Sequence, residues 1–158
     1  HHDPFKKGES FKNWLHDYRH KMLILNVKEE GLEDSLIKLM NEKNIKNYFF
    51  LDQSFPFLLK YSAFSEGKSA VRFSEYESIY TVLKLKKICN WVWVDCFSKN
   101  PLNENNFQKL KENNFKICLV SPELQGKEGP SSILSLKKSL KEKNILADAV
   151  CTKHTDLW

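Results

Sequence analysis

The chain has 158 residues, enough for one domain with a sizeable core, and its 41% hydrophobic and 13% aromatic content with only five Gly and five Pro excludes disorder by composition. Its apolar runs fall far short of the roughly 20 residues a membrane helix needs, and no stretch has signal-peptide layout, so no transmembrane segment is expected. The net charge of +5 is nearly all Lys interleaved with acids, as in KLMNEKNIK and SLKKSLKEK, a pattern of solvated helix faces that argues against nucleic-acid binding.

In chain order, Phe11, Trp14, Leu15 and Tyr18 fall at helical spacing behind Ser10, predicting a short helix over Ser10 to Tyr18. Met22 to Lys28 (MLILNVK) follows as a strand. Its near-continuous apolar run is the signature of a parallel strand covered on both faces, with a polar carboxyl end at Asn26 and Lys28. The same design recurs in YFFLD (Tyr48 to Asp52), Ala70 to Phe73, WVWVD (Trp91 to Asp95), KICLVS (Lys116 to Ser121) and DAVCT (Asp148 to Thr152). Between them lie amphipathic stretches at Gly31 to Lys43, Phe55 to Tyr61, Glu75 to Lys86, Asn103 to Asn113 and Ser131 to Lys143. Six alternations spaced by roughly 20 to 30 residues match the size of a βα unit and predict a parallel sheet with right-handed crossovers.

No Gly-rich phosphate loop follows any strand, which argues against dinucleotide and P-loop folds. What closes the strands is charge: Lys28, Asp52, Arg72 with Glu75, Asp95, and Glu123 after Ser121. Arg72 stands out, because Arg occurs only there and at Arg19. Asn26, Lys28, Asp52, Arg72 and Asp95 are expected to share their strands' inward parity and to form one pocket suited to a phosphorylated ligand. Any one of them can equally serve to end a buried strand or cap the next helix, and an open α/β domain without a site would scatter them. The four cysteines contain no C-x-x-C pair, so buried reduced thiols and a cytoplasmic location are expected. His16, His20 and His154 lack metal-ligand spacing, Trp91 and Trp93 read as interior filling, and LQGKEGP after Glu123 has the length of a mobile rim.

These residues resemble the glycerophosphodiester phosphodiesterases and the related phosphatidylinositol-specific phospholipase C-like proteins. HHDPF with Gly8 is similar to the family's second-strand His-Asp motif, with His2 and Asp3 in its two positions. LNVKEEG, YFFLDQSFP, AVRFSEYE, WVWVDCF and CLVSPELQG are similar to the third to seventh strands, and AVCTK with DLW to the eighth. RFSEYE and VSPELQG bring the chain nearest to a bacterial branch of that superfamily.

The resemblance implies a (β/α)8 TIM-type barrel with about six βα units in this chain, the first strand and a Glu-x-Asp pair being expected before His1. Two open strand edges would then invite self-association. It implies phosphodiester hydrolysis with His2 as general acid and Lys28 and Arg72 on the phosphate. Asn26, Asp52, Glu75, Asp95 and Glu123 would contact substrate, which would be a phosphorylated small molecule or a lipid headgroup. Asp3 and Asn26 would ligate a divalent cation, Mg or Ca, although Asn26 stands where the family strand carries Glu and so contributes one charge less. The alternative is a non-catalytic phosphate- or sugar-phosphate-binding module on the same scaffold.

Overall fold

The computed structural model describes residues 7–62, 67–127 and 129–158. Helix and strand alternate as α1 (Phe11–Trp14), β1 (Leu23–Asn26), α2 (Glu33–Glu42), β2 (Tyr48–Leu51), α3 (Phe55–Ser62) and β3 (Ala70–Phe73). They continue as α4 (Ile79–Lys84), β4 (Trp91–Val94), α5 (Glu104–Glu112), β5 (Lys116–Val120), α6 (Pro130–Glu142) and β6 (Ala149–Cys151). All six predicted strands form. The first helix is shorter than expected, and α4 begins at Ile79 because Ser74 and Glu77 bond to each other first and Ser78 then caps the helix through Tyr80 N–H.

Every strand pair is parallel, and strand order follows chain order. β1 pairs with β2 in one ladder, and β3, β4, β5 and β6 pair successively in another. The ladders meet at a parallel bridge between Phe50 and Ser69, where Phe50 N–H donates to the Lys68 carbonyl at 2.7 Å. With the usual right-handed crossovers, this order sends the connecting helices to one face of the sheet.

Packing follows that rule. The outward residues Val71, Phe73, Val92, Val94, Ile117 and Leu119 are buried with Leu58, Val82, Leu110 and Leu140 from the helices. Leu23, Leu25, Tyr48 and Phe50 do the same with Leu15 and with Met40 of α2. The opposite face has a core of its own: Phe49, Leu51, Ala70, Trp91, Trp93, Cys118 and Val120 form one cluster with Met22, Ile24, Ala149 and Cys151. Among the described residues, none from an α-helix enters it. Phe49 on β2 stacks on Trp91 on β4 with ring centroids 4.7 Å apart, over the small Ala70 of the strand between them.

Three helix-to-strand joints share one local design. Asn44, Asn114 and Asn144 adopt left-handed φ of 54°, 61° and 50°. The next residue then donates its N–H back into the last turn: Ile45 to Met40, Phe115 to Leu110 and Ile145 to Leu140, at 2.8 to 3.0 Å. Each is a Schellman closure with its apolar clamp, and it explains why E-K-N-I, E-N-N-F and E-K-N-I recur at residues 42–45, 112–115 and 142–145.

The four cysteines are free thiols, as expected, and burial pushes Cys89 up to about 12 and Cys96 to about 11, so both stay neutral at pH 7. No helix of the described residues is long and apolar enough to cross a membrane.

Candidate functional site

Parallel strands in chain order bring their carboxyl ends to one end of the sheet, where the inward side chains meet. Arg72 shares the parity of Ala70, and Asp95 that of Trp91 and Trp93, so both point to the inner face. Asp52 was expected inward by parity and is not: the inward residues of β2 are Phe49 and Leu51. It reaches the site because its φ is +59°, a left-handed residue that turns the side chain across the end of β2.

The result is one continuous chain of polar contacts. Lys28 Nζ donates to Asp52 Oδ2 at 2.5 Å, and Arg72 Nη2 donates to Asp52 Oδ1. Arg72 Nη1 donates to Asp95 Oδ2 at 2.5 Å, which also accepts from Trp93 Nε1 at 3.3 Å, and Gln125 Nε2 donates to Asp95 Oδ1. Side-chain exposure is 4% at Asp95, 32% at Arg72, 17% at Asp52 and 46% at Lys28, so the two carboxylates are the more buried members and Asp95 the most buried. The two carboxylates therefore titrate in opposite directions. Burial pushes Asp95 above the usual carboxylate range against the pull of Arg72 and Trp93. Burial also pushes Asp52 upward, but hydrogen bonds and charge from Lys28 and Arg72 outweigh it and hold Asp52 below the ordinary value.

Glu75 and Glu123 were expected to join this pocket, and the structure turns both sideways. Glu75 accepts from the backbone N–H groups of Phe97, Ser98 and Lys99 and from Ser98 Oγ, stapling the loop after β3 to the loop after β4. Glu123 accepts from Thr152 Oγ1 at 2.6 Å and Lys153 N–H at 2.9 Å, and its Oε2 is buried without a partner among the described residues. Glu123 belongs to a 3₁₀ turn, Pro122–Gln125, so the start of the expected mobile rim is pinned on both sides, by Glu123 to the loop after β6 and by Gln125 to Asp95.

Sequence reading missed Gln125, the donor role of Trp93, and a second polar chain at the joint between the two ladders. There the fully buried Glu33 accepts from Gly31 N–H and Gln53 Nε2, both at 3.1 Å, and Gln53 Oε1 accepts from Ser69 Oγ at 2.8 Å. The signal available was a Gln directly after the strand-ending Asp52, in a gap one bridge alone closes.

His2 and Asp3 lie outside the described residues. Asn26 is exposed at the end of β1, with the parity of Met22 and Ile24. Asp52 and Asp95 already spend their oxygens on Lys28, Arg72, Trp93 and Gln125, and no three His, Cys, Asp or Glu side chains among the described residues are grouped to hold a metal. Asp52 and Asp95 do not fit a divalent cation held between them, because the Arg72 guanidinium occupies that space; Asp3, expected to ligate the cation with Asn26, lies outside the described residues.

No protein-family model matches the sequence, and no curated protein matches it either.

Four donors hold Glu75 down to about 2 against its ordinary 4.5, outweighing the upward push of desolvation. A carboxylate with a lowered pKa stabilises only while ionised, so the staple is complete above pH 4.5 and is lost as pH falls through about 2. The amide shifts of Ser98 and Lys99 are expected to move across that window, and Glu75→Gln to abolish the transition. Shifts that titrate equally in Glu75→Gln would remove the staple.

Proposed function

We propose that this chain is a phosphoric diester hydrolase-like domain on a (β/α)8 TIM-type barrel scaffold, related to the glycerophosphodiester phosphodiesterases and phospholipase C-like proteins. The sequential parallel order, the helices on one face and a separate inner core that runs from β1 to β6 support the barrel reading. The single observation that carries the functional reading is the convergence of Lys28, Asp52, Arg72 and Asp95 from four successive strand ends into one hydrogen-bonded group.

A phosphodiester is hydrolysed when the attacking oxygen loses its proton, the leaving oxygen gains one, and the phosphoryl oxygens are neutralised. In this reading Arg72 turns its planar fork from a carboxylate to the phosphoryl oxygens, and the exposed Lys28 supplies a second positive charge. Asp52 and Asp95 orient the guanidinium, and Gln125 and Trp93 hold Asp95 in place. His2 gives the proton to the leaving oxygen, and the attacking water passes its own proton to bulk solvent.

Alcohol release from glycerophosphodiesters and from phosphatidylinositol, with and without Mg or Ca, tests the proposal. Arg72→Lys keeps the charge but loses the fork and is expected to lower kcat/KM by about 100-fold. No release from any of these substrates would overturn it. The engagement of both Arg72 edges by carboxylates favours one second reading, a phosphate- or sugar-phosphate-binding module without turnover. Calorimetry that finds tight binding of a sugar phosphate, unchanged in His2→Ala and without product, would select that module.

A further inference from the structure

A cavity of about 320 Å³, outside the strand-end cluster, lies between the loop after β4 and one face of α6. Lys99, Asn100 and Lys127 line it on the loop side, and Ser132, Ser135 and Ser139 line it from the helix. The helix contribution follows from spacing: positions three, four and seven apart share one face, so these hydroxyls stand in a row about 10 Å long. Cys96 closes the floor. Its thiol is 7% exposed and finds no hydrogen-bond partner among the described residues.

The walls are tied in place. Lys127 Nζ donates to the Ser98 carbonyl at 3.3 Å, and Ser132 Oγ lies 2.9 Å from the Lys127 carbonyl oxygen and 2.8 Å from that of Gly129. Behind the loop, the Glu75 carboxylate holds Ser98 and Lys99 by their N–H groups. The groups that line the cavity are free by contrast: Lys99 Nζ and the Ser135 and Ser139 hydroxyls have no partner among the described residues. α6 also starts without a side-chain cap, which leaves N–H groups of its first turn without a side-chain acceptor near Lys127.

Charge and hydrogen-bonding capacity narrow the ligand. Among the described residues no carboxylate lines the cavity, and Glu128, next to Lys127 in the chain, lies outside them. The acids nearby face elsewhere: Glu75 the loop backbone, Asp95 Arg72 and Gln125, and Glu123 Thr152 and Lys153. Of the charges acting on the Cys96 thiol, Lys127 acts most strongly, ahead of Asp95 and Glu75. Two ammonium groups suit a phosphate, which Lys binds as a point charge, whereas a planar carboxylate is matched by the fork of Arg. Hydroxyls that both donate and accept suit a polyol, as does Asn100 Nδ2, whose Oδ1 partner atom already accepts from Leu102 N–H.

We infer that this cavity is a second ligand site, which takes the phosphate monoester of a small polyol, with the phosphate at Lys99 and Lys127 and the hydroxyls at Ser135, Ser139 and Asn100. Its volume sits at the small end of ligand cavities, which begin at about 300 Å³ and so limit the polyol to the size of a simple sugar. The inference does not rest on the reading of Arg72. The two sites share one element, since Pro122 lines the cavity while Gln125 of the same 3₁₀ turn holds Asp95.

Titration of the chain at pH 7 with glucose 6-phosphate, followed by amide chemical shifts, tests it, with inorganic phosphate and glucose as the two halves of the probe. Saturable shifts are expected at Lys99, Lys127, Ser135 and Ser139, with glucose 6-phosphate bound at least about tenfold more tightly than either half. The double variant Lys99→Gln, Lys127→Gln is expected to weaken that binding at least about tenfold. Ser135→Ala, Ser139→Ala is expected to weaken glucose 6-phosphate and leave inorganic phosphate unchanged. Lys60→Gln removes an exposed ammonium that lies over the Phe57 and Tyr61 rings of α3, and is expected to change nothing. No saturable shift at the cavity residues, equal binding by the double lysine variant, an equal loss in Lys60→Gln, or equal affinity for inorganic phosphate and glucose 6-phosphate overturns the site. Shifts confined to Lys28, Arg72 and Asp95 that vanish in Arg72→Lys also overturn it, and leave the proposed function standing.

Discussion

Arg72→Met is expected to destabilise the fold by about 2 to 3 kcal/mol at pH 7. Removing one member of a buried ion pair costs about 3 to 5 kcal/mol, because the abandoned charge stays buried, and the 32% exposure of Arg72 lowers that figure through screening. The abandoned charge is mainly Asp95, whose side chain is 4% exposed. Without Arg72 its pKa moves further above the ordinary range. A carboxyl raised in the folded state takes up its proton before the unfolded chain does, so the variant regains stability as pH falls through that raised value. Asp52 acts in reverse in the intact chain: its lowered pKa contributes stability at neutral pH that is lost on acidification. Urea unfolding at pH 7 and pH 5 should show the gap between variant and parent narrowing, and Arg72→Met, Asp95→Asn should recover part of the loss at pH 7. A loss under about 0.5 kcal/mol, or a gap that widens toward pH 5, would mean that solvent already screens the cluster.

Phe49→Ala is expected to cost about 3 to 5 kcal/mol, the range for deleting a buried aromatic ring. Phe49 is fully buried, and its stack on Trp91 is the aromatic tie between the two-stranded and four-stranded ladders, which also meet at one backbone bridge, at the Arg72–Asp52 pair and at the Ser69–Gln53 hydrogen bond. The variant should therefore change the form of unfolding as well as its midpoint. Tryptophan emission, to which Trp91, Trp93 and Trp158 contribute from the four-stranded side, should separate from far-ultraviolet circular dichroism as the β1–β2 ladder melts first. Coincident transitions with an unchanged midpoint would show that the inner cluster contributes little.

The strands were legible because buried parallel strands announce themselves as β-branched and aromatic runs, and YFFL, WVWV and KICLV are such runs. Direction within a strand was legible too: Arg72 and Asp95 follow alternation inward. Legibility stopped where the strands stop. Beyond the last ladder residue alternation no longer sets direction, so Glu75 and Glu123, which look like site residues, turn to donors on the neighbouring loops. Asp52 fails in the other sense, since its left-handed φ accompanies pairing with Lys28 and Arg72, partners far away in sequence. Gln125 was hidden because the 3₁₀ turn that aims it has no periodic signature in four residues.

Strand order that copies chain order also has a consequence for synthesis. Among the described strands each new one finds its partner one βα unit back, so β3 can dock before β4 exists. Loop-closure entropy is spent in similar small instalments, and relative contact order stays low for a parallel sheet. Growth by accretion at one edge predicts that a stalled nascent chain gains protease resistance in steps, one per unit, as translation proceeds.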